Sequence, residues 1–203
     1  MRLGVYGGSF DPIHLGHLLL AESAYRQMRL DRIDFIPRSD SWRPKHRFPI
    51  TGEDRYQMTL RAVAPYPEFA VSRYELDTPG ALYSADTLQY YRDAYPDDEV
   101  FFIVSSETFN DLPLWHSPER VCQLASIIIA QRCGYPPPNF DALRNFLPSD
   151  KIEGFRRQVV EMPQVEISSS SIRQRVSTGE SVRFMVPDAV AEYIQEKNLY
   201  ANR

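Results

Sequence analysis

Gly7-Gly8-Ser9-Phe10-Asp11-Pro12-Ile13-His14-Leu15-Gly16-His17 is the stretch on which the reading of this chain turns. A short apolar run, Leu3-Gly4-Val5-Tyr6, precedes it and reads as a buried strand. Leu18 to Met28 follows and reads as a helix. The stretch is therefore expected to be a strand-to-helix turn. Two glycines let backbone approach a ligand where a Cβ would clash. Pro12 removes a donor near a helix start, where donors lack partners anyway. Amide groups and the positive end of the helix dipole would then face whatever lies above the turn, an arrangement that suits phosphate. His14 and His17 are three apart, so a helix running from Ile13 would aim both imidazoles at one anion.

Outward from the turn, strand and helix patterns alternate. Ile33–Pro37, Phe69–Ser72, Val100–Val104, Ser126–Ala130 and Val165–Ile167 read as strands. Thr51–Ala64, Ser84–Tyr95, Pro118–Leu124, Ser170–Ser177 and Pro187–Lys197 read as helices, with Thr51 as a cap. The unbroken apolar run Val100-Phe101-Phe102-Ile103-Val104 argues for a sheet covered on both faces. Such alternation predicts an α/β fold: a doubly wound, mainly parallel sheet, with ligands beyond the carboxyl ends of its strands. Two segments read as long loops. Arg38–Pro49 carries Trp42-Arg43-Pro44-Lys45-His46-Arg47, and Gly134–Asn139 carries three consecutive prolines.

Composition narrows the classes. The 203 residues suffice for one domain with a full core. Twenty-three basic against 27 acidic residues give a net charge of −4, with no basic block to meet a nucleic-acid backbone. No apolar run reaches membrane-spanning length. The first strand begins without a signal peptide ahead of it, and Cys122 and Cys133 form no CxxC, so a reducing, cytoplasmic setting is expected. A zinc site built on the His pair would need further ligands, and His46 and His116 are the only other histidines.

Ser168-Ser169-Ser170-Ser171-Ile172-Arg173 is a second phosphate-suited element. Its serines offer hydroxyl and backbone donors at a helix start, and Arg173 sits one turn in, able to fork onto phosphate oxygens. A serine-rich cap with a solvated arginine is the alternative. The first turn, with its Phe-Asp-Pro and His-x-Gly-His, resembles the [ST]-x-F-D-P-x-H-x-G-H turn of the HxGH nucleotidyltransferase superfamily. It is neither the dinucleotide fingerprint nor a Walker loop. The resemblance implies attack of a nucleophilic phosphate on the α-phosphorus of ATP with loss of pyrophosphate, by alignment and charge neutralisation rather than covalent bonding. In that scheme His14 and His17 hold phosphates and Lys45 and Arg173 are cationic clamps. Mg2+ bridges the leaving oxygens, carried by ATP and not by a protein metal site.

Further stretches extend the likeness over nearly the whole chain. They are Arg55-x-x-Met58, Gly80-x-x-Tyr83-Ser84-x-Asp86-Thr87-Leu88, Phe102 to Thr108, Leu112-Pro113-Leu114-Trp115, Arg132-Cys133-Gly134-Tyr135, Ile167 to Arg173, and Val186-Pro187-x-x-Val190-x-x-Tyr193-Ile194. The chain is similar to the bacterial nicotinate-nucleotide adenylyltransferase family, which joins ATP and nicotinate mononucleotide in NAD biosynthesis. That likeness implies a single nucleotidyltransferase domain over 1–203, Rossmann-like, with a small helical part at about 168–203. It implies that Gly7, Gly8, Ser9, Phe10, Arg132, Ser168, Ser169 and Ser170 surround ATP. Tyr83, Ser84, Glu107 and Trp115 would meet the mononucleotide, Trp115 by stacking on the pyridine ring. Tyr83 and Trp115 as core aromatics, and Ser84 as a helix cap, are the alternatives.

The departures from the family pattern fall on the acceptor side and its covering loop: Leu82 before Tyr83, Ser84 for Thr, Asp77 or Thr78 for a basic residue, Ser105-Ser106-Glu107-Thr108 for Gly-Ala-Asp-Ser, and a rearranged Trp42–His46. The ATP side is intact. Two further functions stay in view: an adenylyltransferase taking nicotinamide mononucleotide or another phosphate ester, and an inactive nucleotide-binding paralogue. The expected partners are ATP and a pyridine mononucleotide, without nucleic acid or membrane; a homo-oligomer is left open.

Overall fold

The chain is described by a computed structural model at residues 1–40, 49–80, 82–131 and 134–201. The apolar runs become strands β1 (Arg2–Gly8), β2 (Arg32–Pro37), β3 (Phe69–Val71), β4 (Glu99–Ser105), β5 (Ser126–Gln131) and β6 (Val159–Glu161). Between and after them lie helices α1 (Leu15–Gln27), α2 (Gly52–Val63), α3 (Tyr74–Asp77), α4 (Ser84–Ala94), α5 (Ser106–Asn110), α6 (Pro118–Leu124), α7 (Ser149–Arg156), α8 (Ser169–Ser177) and α9 (Asp188–Glu196). The sheet order is β3-β2-β1-β4-β5-β6, the doubly wound order that reverses between β1 and β4. The β1·β4, β4·β5 and β5·β6 pairings are parallel; Val5 lies opposite Phe102, and Phe102 opposite Ile127. All five residues from Val100 to Val104 are buried, as the unbroken apolar run predicts.

By its internal contacts the chain divides into two compact units. One comprises Met1–Tyr6, Leu20–Ile33 and Tyr83–Gln164; the other comprises Gly7–Leu19, Asp34–Leu82 and Val165–Arg203. In the first, α4 packs on α6 and β4, and α7 on β5. In the second, α2 packs on β3 and α9. The α2·α9 contact carries a polar pin: the Tyr193 hydroxyl donates to Asp54 at 2.9 Å, and the Arg61 guanidinium lies 4.4 Å above the Tyr193 ring. Burial, helped by Asp54, pushes the Tyr193 hydroxyl up to about 12, so it remains a donor at neutral pH. The helical segment after Ile167 belongs to the unit that contains the first turn.

One predicted strand is wrong. Val165-Glu166-Ile167 is irregular, and the sixth strand is Val159–Glu161. Helix α7, which the sequence reading does not anticipate, returns the chain to the sheet edge. Val160 is thereby buried opposite Ala130, while Val165 and Ile167 remain partly exposed on the approach to α8. Both segments carry β-branched residues; the connection, not propensity, selects between them.

Candidate active site

The first turn folds around its own side chains. Helix α1 begins at Leu15, two residues later than a start at Ile13, so His14 immediately precedes it. The His14 carbonyl accepts from the amides of His17 at 2.9 Å and Leu18 at 3.3 Å. The His14 amide donates to Nδ1 of His17 at 3.2 Å. The two imidazoles are stacked, with centroids 3.7 Å apart and planes at 27°. Because Nδ1 of His17 accepts, the neutral ring carries its proton on Nε2, which becomes its donor. His17 is half-buried, whereas His14 is only 5 % exposed. The pair is therefore layered, not two equivalent donors side by side.

The glycines serve this packing. A Cβ on Gly16 would stand 3.0 Å from Nδ1 and 3.1 Å from Cε1 of His14. A Cβ on Gly8 would stand 2.7 Å from the Phe10 ring, so that glycine makes room for the protein's own side chain rather than for a ligand. Phe10 has φ +48 and a fully buried ring, edge-on to His17 at 5.2 Å and 5.7 Å from Phe35. The Phe10 ring is buried in the core, so the place beside ATP that the family likeness implies for Phe10 would fall to its backbone. Not every amide at the helix start is open either. The Leu15 amide donates to the Met185 carbonyl at 2.9 Å.

Side chains from later in the same unit fasten the turn. Arg55, on α2, is completely buried and spreads its guanidinium over the Ser9 carbonyl (2.8 Å), the Arg38 carbonyl (2.6 Å) and Asp40 Oδ1 (2.7 Å). Asp40 in turn accepts from the Gly52 amide at 2.9 Å, and Thr51 caps α2 by accepting from Asp54. Ser168 caps α8, accepting from the Ser171 amide at 3.2 Å, and its hydroxyl lies 3.1 Å from that of the exposed Ser170. Ser169 donates to the Pro12 carbonyl at 2.9 Å. Arg173 donates from Nη1 to the Asp11 carbonyl at 2.7 Å, with Asp11 Oδ2 3.7 Å away. The Asp11–Pro12 peptide is cis, and α8 holds the carbonyls of both its residues. The serine run is both a cap and a clamp on the first turn, and about a third of the Arg173 side chain stays exposed.

The roles of Arg55 and Tyr200 escape sequence reasoning. Arg55 reads as a polar residue of an amphipathic helix, and nothing local shows that its partners are carbonyls far away in sequence. Tyr200 donates to Oδ1 of the buried Asp11 at 2.7 Å, across 189 residues. Arg55 is signalled only by the family-like Arg55-x-x-Met58, and Tyr200 only by the likeness of Leu199-Tyr200 to a stretch of that family.

The acceptor-side candidates lie in the other unit. Tyr83 is the N-terminal cap residue of α4, its amide donating to Asp86 at 2.9 Å; Ser84 is the first helical residue and not the cap. The half-exposed Tyr83 ring stacks on His116, with centroids 4.2 Å apart. Trp115 meets Phe102 edge-on at 6.1 Å and stays partly exposed. Glu107 is exposed in the first turn of α5. The Ser105 hydroxyl caps α5, accepting from the Thr108 amide at 3.2 Å, so the side chain added relative to the family glycine is used within the chain. Cys122 is buried, and burial pushes its thiol up to about 12, which marks it as an inert core residue. Lys45, the rest of the Trp42–His46 loop, Arg132 and Cys133 lie outside the described residues.

Among the described residues, no three or more His, Cys, Asp or Glu side chains cluster as a metal cage. No described helix is long and apolar enough to cross a membrane.

Known proteins match this frame along its length. The Cytidylyltransferase-like family profile matches residues 5–175. A Thermus thermophilus protein named "Probable nicotinate-nucleotide adenylyltransferase" is 43 % identical over 203 residues, covering 98 % of this chain and 100 % of the relative. A Frankia alni protein of the same name is 39 % identical over 197 residues, covering 97 % and 99 %. A solved structure of Plasmodium falciparum nicotinic acid mononucleotide adenylyltransferase complexed with NaAD superposes with a TM-score of 0.75, covering 98 % of this chain and 97 % of that one. Its identity is 18 %, so that match speaks for the fold alone. Identity above a third along the full length of both chains, on a doubly wound sheet whose first turn carries the His-x-Gly-His pair, makes this chain a member of the nicotinate-nucleotide adenylyltransferase family of nucleotidyltransferases.

Proposed function

We propose that the chain transfers the adenylyl group of ATP to nicotinate mononucleotide, giving nicotinate adenine dinucleotide and pyrophosphate. A phosphate oxygen of the mononucleotide attacks the α-phosphorus; the bond from that phosphorus to the bridging oxygen breaks, and pyrophosphate leaves with the electron pair. The protein's task is to align two anions and stabilise the charge that builds on the transferring group. His17, its proton on Nε2, would donate to the triphosphate, with the His14 imidazole stacked behind it as the second histidine of the grip. The backbone at Gly7, Gly8 and Ser9, the Ser170 hydroxyl and the free part of Arg173 would supply further donors. Lys45 and Arg132 keep the roles that the family likeness implies. Tyr83, Ser84, Glu107 and Trp115 would receive the mononucleotide, Trp115 with its exposed face. Mg2+ would arrive on the phosphates of ATP, an oxygen-ligand role it fills without a protein cage.

The observation that carries this reading is the His14–His17 stack at a helix start: an amide-to-imidazole bond occupies Nδ1 of His17 and leaves Nε2 as the ring's donor nitrogen. Full-length likeness to proteins named for this reaction supports the choice of acceptor. The test is an acceptor panel: ATP, Mg2+ and either nicotinate or nicotinamide mononucleotide, with pyrophosphate release followed. Fastest release is expected with the nicotinate form. Preference for the amide would overturn the acceptor, and no release with either would overturn the reaction.

A further inference from the structure

Asp11 is almost wholly buried, yet the proposed chemistry gives it no role. Its surroundings show a purpose. Tyr200 Oη donates to Oδ1 at 2.7 Å, Arg173 Nη1 donates to its carbonyl at 2.7 Å and stands 3.7 Å from Oδ2, and Ser169 holds the next carbonyl, that of Pro12. Tyr200 reaches this point from a left-handed backbone, φ +60, just after Asn198, φ +50. Burial, then the Asp11 charge, holds its hydroxyl far above the ordinary tyrosine range, so it stays a donor. The preceding residue, Phe10, is itself left-handed, and its ring bears on His17. A buried carboxylate is thus the point through which Tyr200, 183 positions after His17 in the chain, can set the turn that presents that imidazole.

We propose that Tyr200 is a positioning residue for adenylyl transfer: through Asp11 it fixes the Phe10–His14 turn and thereby the aim of His17. The inference rests on the proposed reaction. A hydroxyl bond to a charged, buried carboxylate is stronger than one between neutral groups, and misplacement of a donor by a fraction of an ångström slows alignment-dependent chemistry. Tyr200→Phe removes the hydroxyl and little else.

The variant is expected to lower kcat about tenfold and to weaken ATP binding, while leaving KM for nicotinate mononucleotide and the circular-dichroism spectrum unchanged. Asp11→Ala combined with Tyr200→Phe should be no slower than Asp11→Ala alone, because both act through one bond. Unchanged kcat with a lowered Tm would reduce Tyr200 to a structural strut and overturn the proposal; so would additive losses in the double variant. ATP affinity measured by calorimetry separates the two levels. A wild-type protein that binds ATP but releases no pyrophosphate refutes the reaction. Wild-type ATP affinity in Tyr200→Phe refutes the role of Tyr200.

Discussion

Gly16 has no side chain because the His14 imidazole fills the space a side chain would need. A methyl group there would stand 3.0 Å from the ring, tighter than ordinary contact, and His14 has little room to retreat because it is stacked on His17 at 3.7 Å. Gly16→Ala is therefore expected to disturb the pair while sparing the fold: kcat about tenfold lower, from a shift of the donor of well under 1 Å, with the melting curve nearly unchanged. Steady-state turnover beside a thermal melt checks this. The sequence shows the His-x-Gly-His spacing but not its reason. Read forward, the Gly7-Gly8 pair is reserved for a ligand; folded, Gly8 accommodates Phe10, and Gly16, part of the His-x-Gly-His spacing, accommodates His14. The contacts that settle the matter are between side chains whose rotamers no pattern of residue types reveals.

At the scale of elements, α2 is bound to the first turn through one fully buried arginine. Arg55 satisfies two backbone carbonyls, those of Ser9 and Arg38, and pairs with Asp40. Arg55→Ala would leave both carbonyls without that donor and open a cavity, at a cost of about 3 kcal/mol. Urea unfolding should show a lower midpoint at constant slope; a stability equal to wild type would contradict the tethering role. The elements themselves were legible where hydrophobic period and caps agreed: Thr51 caps α2 as its sequence suggests, and Pro118–Leu124 is helical from end to end. They were not legible where tertiary context chose. Val159–Glu161 outcompetes Val165–Ile167 for the sheet edge because of how α7 returns the chain, and α8 serves the first turn with Ser169 and Arg173 as much as it serves itself.

At the scale of the whole molecule, the doubly wound sheet suits the proposed chemistry after β1: strand order reverses between β1 and β4, where sheets of this type bind their ligands. That much follows from the alternation of patterns along the chain. The participation of residues 165–201 in holding the first turn does not, because bonds such as Tyr200 to Asp11 span nearly the whole sequence and leave no local trace. The central claim is that the layered imidazoles carry the transfer of the adenylyl group. It is tested most directly by the turnover of His17→Ala against wild type, at saturating ATP, Mg2+ and nicotinate mononucleotide, with folding verified by circular dichroism. The account predicts a kcat lower by roughly two to three orders of magnitude in a folded protein; wild-type turnover in that variant would contradict it.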